Sequence, residues 1–246
     1  MAWIWIGFCI FFAFSVEAMT GFGSIVLALS LGALVMDIPT LVPLLVALNI
    51  LMTAPLTLHY RQHIQFSILL KRVLPCMLIG TLLGVYLTPQ VPATLAKLLF
   101  ALLIIWFSAR ALLRKQAPPL NEIKRNMTMT AAGVTHGLFA SGGPLLVYAL
   151  ARSQLGKMEF RATLLTVWLT LNSLLTCWFI WHGELQGQAS RLLTLVPCVL
   201  AGAVVGNILH HKINEGLFLR LVFGLLLIVG LLLAATSIFN MLGSQA

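Results

Sequence analysis

Apolar runs recur along the whole chain, several approaching the roughly 20 residues that a helix needs to cross hydrocarbon. No feature constrains the fold more. Such runs leave no polar face to meet water, which argues against a soluble helical core. Charge agrees. Only 9% of the 246 residues are Asp, Glu, Lys or Arg, against 60% hydrophobic, too little charge to cover a soluble surface. The full-length spans fall at about 41–58, 73–87, 93–109, 164–181, 192–209 and 221–238. The chain reads as an all-α polytopic membrane protein of a bacterial plasma membrane.

Two further apolar regions are interrupted. Residues 2–36 are broken by Glu17 and by Thr20-Gly21-Phe22-Gly23-Ser24, and residues 127–151 by Ser141-Gly142-Gly143-Pro144. Glycine and proline inside an apolar segment mark broken helices. The polar, basic stretch Arg110–Arg125, with Pro118-Pro119, divides the chain into a first repeat (1–110), a linker (111–125) and a second repeat (126–246). Pro75-Cys76, Gly80 and Gly84 return as Pro197-Cys198, Gly202 and Gly206, 122 residues later. Leu48-Asn49, Leu51 and Thr53 return as Leu171-Asn172, Leu174 and Thr176 at an offset of 123. Phe100-Ala101-Leu102-Leu103 returns as Phe223-Gly224-Leu225-Leu226. Each half is expected to be one broken hairpin followed by three spans.

Charge decides how the halves sit. If each broken segment enters and leaves on one side, 13 of the 15 basic residues fall on one face of the membrane, in the loops 59–72, 110–125, 152–161 and 210–220; only Lys97 and Arg191 do not. If each crosses once, the split is nine against six. The positive-inside rule favours the hairpins. A hairpin plus three spans is an odd number of crossings, so the expected architecture is two inverted repeats, common among secondary transporters. The net charge of +9 therefore reads as cytoplasmic loops, with lipid as the partner and no nucleic acid. Residues 1–16 carry no Lys or Arg, so this stretch reads as retained and not as a cleaved signal. Cys9, Cys76, Cys177 and Cys198 include no CxxC pair, and the adjacent His210-His211 is poor metal geometry. No metal or cofactor is indicated, and a homo-oligomer is compatible with the pattern.

The chemistry is expected at the breaks. A half-helix N-terminus offers free N–H groups and a positive dipole end to an anion. Thr20, Gly21, Gly23 and Ser24 in the first half, and Ser141, Gly142 and Gly143 in the second, are the substrate-binding candidates. Small residues also serve tight helix packing. Asn49 and Asn172, at equivalent places inside spans, face either the substrate or the hairpins. Glu17 is the only acid inside an apolar run, and an intramembrane carboxyl suggests proton coupling or a buried ion pair. His136 lies in the matching region of the second half and is the other proton-coupling candidate, pairing with Glu17 or titrating alone, unless it is simply bonded to helix carbonyls.

The residues Glu17 to Ser24, Gly133 to Pro144 and Phe160-Arg161-Ala162-Thr163, with the duplicated layout, resemble the sulfite exporter TauE/SafE family of membrane permeases over essentially the whole chain. Many members carry more glycines at each tip, followed by a proline; here the first tip has Gly21 and Gly23, and proline follows the second tip alone. The resemblance implies secondary transport of a small sulfur-containing anion such as sulfite, sulfoacetate or a sulfonate. A passive anion channel would share the architecture. An intramembrane serine hydrolase would need Ser24 or Ser141 beside a base, and no oriented third group accompanies His136.

Overall fold

The computed structural model describes residues 2–113, 121–150, 155–209 and 215–243. Pro118-Pro119, His210-His211, Arg114, Lys115, Arg152 and Lys212 lie outside them. Every regular element among the described residues is helical. Seven helices are long and apolar enough to cross a membrane by length and composition. The chain is an all-α polytopic membrane protein.

The first half runs α1 (Ala2–Thr20), α2 (Ser24–Gly32) and α3 (Ile38–His59). A 3₁₀ turn (Arg61–His63) leads to α4 (Phe66–Ile68), which passes through a π-turn (Leu69–Val73) into α5 (Leu74–Leu87); α6 (Ala93–Leu113) follows. The second half runs α7 (Glu122–Phe139), α8 (Gly143–Leu150), α9 (Lys157–Trp181), α10 (Ala189–Leu209) and α11 (Glu215–Gly243).

Both interruptions are present as short gaps between paired helices. At the first, Gly21 (φ 85°) and Gly23 (φ 104°) take left-handed backbone that ends α1 and restarts the chain as α2. Thr20 bridges the gap, its hydroxyl within 2.9 Å of the Val16 carbonyl and 2.8 Å of the Phe22 carbonyl. The chain then folds back, because Trp5 near the start of α1 donates its indole N–H to the Leu31 carbonyl near the end of α2, at 3.2 Å. The two ends of the first broken segment therefore lie together. At the second break Ala140 (φ 50°, ψ 24°) turns the chain, its N–H closing on the His136 carbonyl at 2.7 Å.

The closest packing joins the halves. α5 lies on α7, α10 on α1, α6 on α11 and α3 on α9. Glycine sets the first two. A Cβ at Gly80 or Gly84 would overlap the Thr130 or Val134 carbonyl of α7, and Gly133 and Gly137 face them. A Cβ at Gly202 or Gly206 would overlap the Phe11 or Ser15 carbonyl of α1. The glycine pairs that recur in the sequence thus do one job twice: each lets its helix reach the backbone of the helix that precedes the break in the other half.

Two segments differ from the sequence expectation. α6 continues to Leu113 and α7 begins at Glu122, so the stretch expected as a linker is helical at both ends. The Asn121 side chain caps α7 by accepting the Lys124 N–H at 2.9 Å, a local signal that hydropathy does not carry. Arg161, counted in a basic loop, sits inside α9 and is only 4% exposed.

Candidate functional site

A small buried cavity lies where the two breaks meet. Glu17 (α1), Gly23, Ile25 and Val26 (first break and α2), Asn49 (α3), His136 (α7), Ala140, Ser141 and Gly143 (second break and α8), and Trp168 and Asn172 (α9) line it. These residues come from both halves of the sequence. Its volume is about 20 Å³, room for a water-sized occupant and far less than a sulfonate needs.

One wall is a directed chain of amides. Asn172 donates to the Asn49 carbonyl oxygen at 2.7 Å. Asn49 in turn donates to Glu17 Oε2 at 3.1 Å and to Ser24 Oγ at 3.0 Å. The backbone N–H of Ser24, the first residue of α2, donates to the same Glu17 Oε2 at 3.0 Å. Glu17 therefore caps α2 with its own carboxyl, in the place where the sequence suggests an external anion. The next amides of that first turn, on Ile25 and Val26, belong to residues lining the cavity.

Glu17 Oε1 is buried and makes no hydrogen bond among the described residues. Asn172 Oδ1 and both ring nitrogens of His136 are buried without a well-formed hydrogen bond, although the Asn172 side chain and the Ala140 backbone lie within interaction range of the His136 ring. Glu17 is 2% exposed, Asn172 1% and His136 0%. Burial of a polar atom without a partner is costly, so Glu17 Oε1 stands as an open acceptor on this small cavity. Among the described residues Glu17 and His136 form no ion pair with each other. The His136 ring is stacked on Trp168, centroids 5.7 Å apart.

The substrate-binding candidates divide. Gly23, Asn49, Ser141, Gly143 and Asn172 line the cavity, as do Glu17 and His136. Ser24 reaches it through Asn49 and Glu17. Thr20, Gly21 and Gly142 do not line it. Thr20 is spent on the turn. A Cβ at Gly21 would strike Arg161, and one at Gly142 the Ala132 carbonyl, so these glycines serve packing. Neither serine is bonded to His136: Ser141 donates to the Phe139 carbonyl at 2.9 Å, and Ser24 Oγ accepts from Asn49.

Two residues of α9 escaped the sequence reading. Trp168 donates its indole N–H to the Gly21 carbonyl at 3.1 Å, and a Cβ at Gly143 would sit 3.7 Å from its ring. It therefore touches both tips. Arg161 donates to the Ala18 carbonyl at the end of α1 and stacks over Tyr60, 4.8 Å from its ring centre. A cation at a helix C-terminus is favoured by the dipole. The spacing of Arg161, Trp168 and Asn172 puts them at i, i+7 and i+11, one face of a helix, and this was the available signal.

A second cavity, of about 250 Å³, lies toward the start of α3 and the end of α9, lined among others by Val42, Leu138, Phe179, His182 and Glu184.

Fold and cavity together define a polytopic helical membrane protein with a closed polar site between two interrupted helices, the class to which transporters belong. The chain belongs to the sulfite exporter TauE/SafE family, whose model matches residues 6–233. It is 26% identical over 224 residues to a Cupriavidus necator protein named "Probable sulfite/organosulfonate exporter TauE", covering 87% of this chain and 86% of that one. It is 28% identical over 163 residues to the Comamonas testosteroni "Probable inner membrane transporter protein TsaS", covering 65% of this chain and 68% of that one. No solved structure shows a significant match to the chain. The chain is a multi-pass plasma-membrane protein of a transporter family.

Proposed function

We propose that the protein is a secondary transporter of a small organic or sulfur-containing anion, such as sulfite, sulfoacetate or a sulfonate. The observation that carries this reading is the convergence of residues from both breaks on one buried cavity, where Glu17 Oε1 has no partner among the described residues. The first turns of α2 and α8 supply positive dipole ends there. The names of the two relatives point the same way for those proteins.

In this reading the halves are inverted repeats. Exchanging them maps α1–α10 packing onto α7–α5 packing, and α3–α9 and α6–α11 onto themselves, as a pseudo-two-fold axis would; the distribution of basic residues favours an axis in the membrane plane. The cavity is too small for any of these anions as it stands, so the site has to widen to admit one. A closed site favours alternating access over an open channel. Glu17 and His136 are the proton-coupling groups, being the titratable side chains that line it.

Flux in proteoliposomes tests the reading. With sulfite, sulfoacetate, taurine and carboxylates imposed as gradients, at least one sulfur-containing anion should accumulate against its gradient when a second gradient drives it. Flux that only ever dissipates its own gradient would indicate a channel, and no flux of any of these anions would refute the reading.

A further inference from the structure

We infer that the substrate binds directly on a proton carried by Glu17: the protonated carboxyl donates its Oε1–H to an oxygen of a monoanionic sulfonate or similar oxyanion. The inference rests on the transport reading above and adds the atom at which proton and substrate meet.

The two oxygens of Glu17 are not equivalent. Oε2 accepts two donors, the Ser24 N–H at 3.0 Å and the Asn49 amide at 3.1 Å. Asn49 is itself held by Asn172 at 2.7 Å. Both contacts require Oε2 to be an acceptor, so a proton on this carboxyl sits on Oε1. That oxygen is buried and has no partner, on a residue that lines the cavity.

The surrounding charges make the proton necessary. α2 carries no titratable side chain. α3 presents Asn49, and its His59 lies at the far end. α10 packs on α1 through Gly202 and Gly206, while its cation Arg191 stacks over Trp3, 4.8 Å from the ring centre. On α1 the other titratable group, Cys9, is two turns away from Glu17. α9 brings Arg161, whose guanidinium is engaged by the Ala18 carbonyl and Tyr60. His136 lines the same cavity, with the Asn172 side chain and the Ala140 backbone within interaction range of its ring.

Among the described residues, then, no fixed cation lines the site, and the helix ends supply only partial charge. An ionised Glu17 would repel an incoming anion in a low-dielectric space. Protonation removes that charge and turns Oε1 from an acceptor into the missing donor. The proton comes from water on the side from which the anion arrives and is released with it on the other. One proton neutralises the carboxyl and no more, which matches the site to a monoanion.

The experiment uses the full chain in detergent with methanesulfonate as probe, since its sulfonate stays ionised and any proton taken up goes to the protein. A weakly buffered indicator dye should register close to one proton per methanesulfonate bound. Apparent Kd should rise on the order of tenfold per pH unit on the alkaline side. The Glu17→Gln variant, whose amide N–H replaces Oε1–H, should bind with a pH-independent Kd and take up no proton. Wild-type binding without proton uptake would overturn the inference and leave the transport reading standing, as would uptake that survives in Glu17→Gln and disappears in His136→Gln. Absence of methanesulfonate binding at any pH would overturn the monoanion assignment, while the transport reading fails separately if liposomes move none of its anions.

Discussion

The glycines of the two tips show how much depends on the individual residue. Gly23 has φ 104°, and a Cβ there would meet nothing within 4 Å; Gly143 has ordinary backbone, and its Cβ would lie 3.7 Å from Phe22 and Trp168. The first position is limited by conformation; the second accepts a Cβ at ordinary contact distance but lines the cavity. Gly23→Ala should cost about 1–2 kcal/mol of stability through left-handed strain. Gly143→Val should leave the melting temperature in detergent nearly unchanged and reduce transport by at least tenfold, because its methyls fill the cavity. Normal flux in Gly143→Val at wild-type expression would place the substrate elsewhere. Glu17→Ala removes the acceptor for the Ser24 N–H and one Asn49 contact. It should destabilise by about 1–3 kcal/mol, the usual penalty for buried donors left unpaired. Thermal unfolding compared with Glu17→Gln measures that difference, and equal melting temperatures would mean the carboxyl does not hold the hairpin.

At the scale of the element, the glycine pairs decide which helices touch. A side chain at Gly206 would overlap the Ser15 carbonyl and Ala18, whereas one at Gly224 on α11 would meet nothing within 4 Å. Gly206→Ala should therefore lower stability by about 1–3 kcal/mol, the cost of overpacking. Gly224→Ala should be neutral or slightly stabilising, since Gly in a helix interior costs about 0.5–1 kcal/mol relative to Ala. Melting temperatures of the two variants check the contrast, and equal values would show that α1 and α10 separate without penalty. Gly80 and Gly202 are legible in the sequence as equivalent positions. That each faces the opposite half is not, because a small-residue stripe names no partner.

At the scale of the whole molecule, the distribution of basic residues predicts orientation. With Cys9, Cys76, Cys177 and Cys198 replaced by alanine, Gln62→Cys should react with impermeant thiol reagents from the cytoplasmic side only. Gln186→Cys should react from the outside only. Both side chains are exposed, Gln62 in the 3₁₀ turn after α3 and Gln186 in the loop after α9. Labelling of both from one side would break the inverted-repeat reading, because the second broken segment would then cross the membrane.

Hydropathy, the two glycine-rich breaks and the internal repeat by themselves determined an all-helical membrane protein with paired interruptions, since these depend on local composition and short-range backbone preference. They also singled out Glu17, His136, Asn49 and Asn172, because polar side chains inside apolar runs are conspicuous without any structure. Only the tertiary structure decided what those residues do to one another. It joined Asn172, Asn49, Glu17 and Ser24 into one chain of hydrogen bonds, and left Glu17 Oε1 without a partner among the described residues, on a cavity that His136 also lines. It removed Thr20, Gly21 and Gly142 from the cavity wall and brought in Trp168. It turned Arg161 from a loop charge into a buried cap on α1. The physical reason is that hydrogen bonds and close packing between residues more than 100 positions apart depend on how helices cross, and a one-dimensional pattern of polarity contains no crossing.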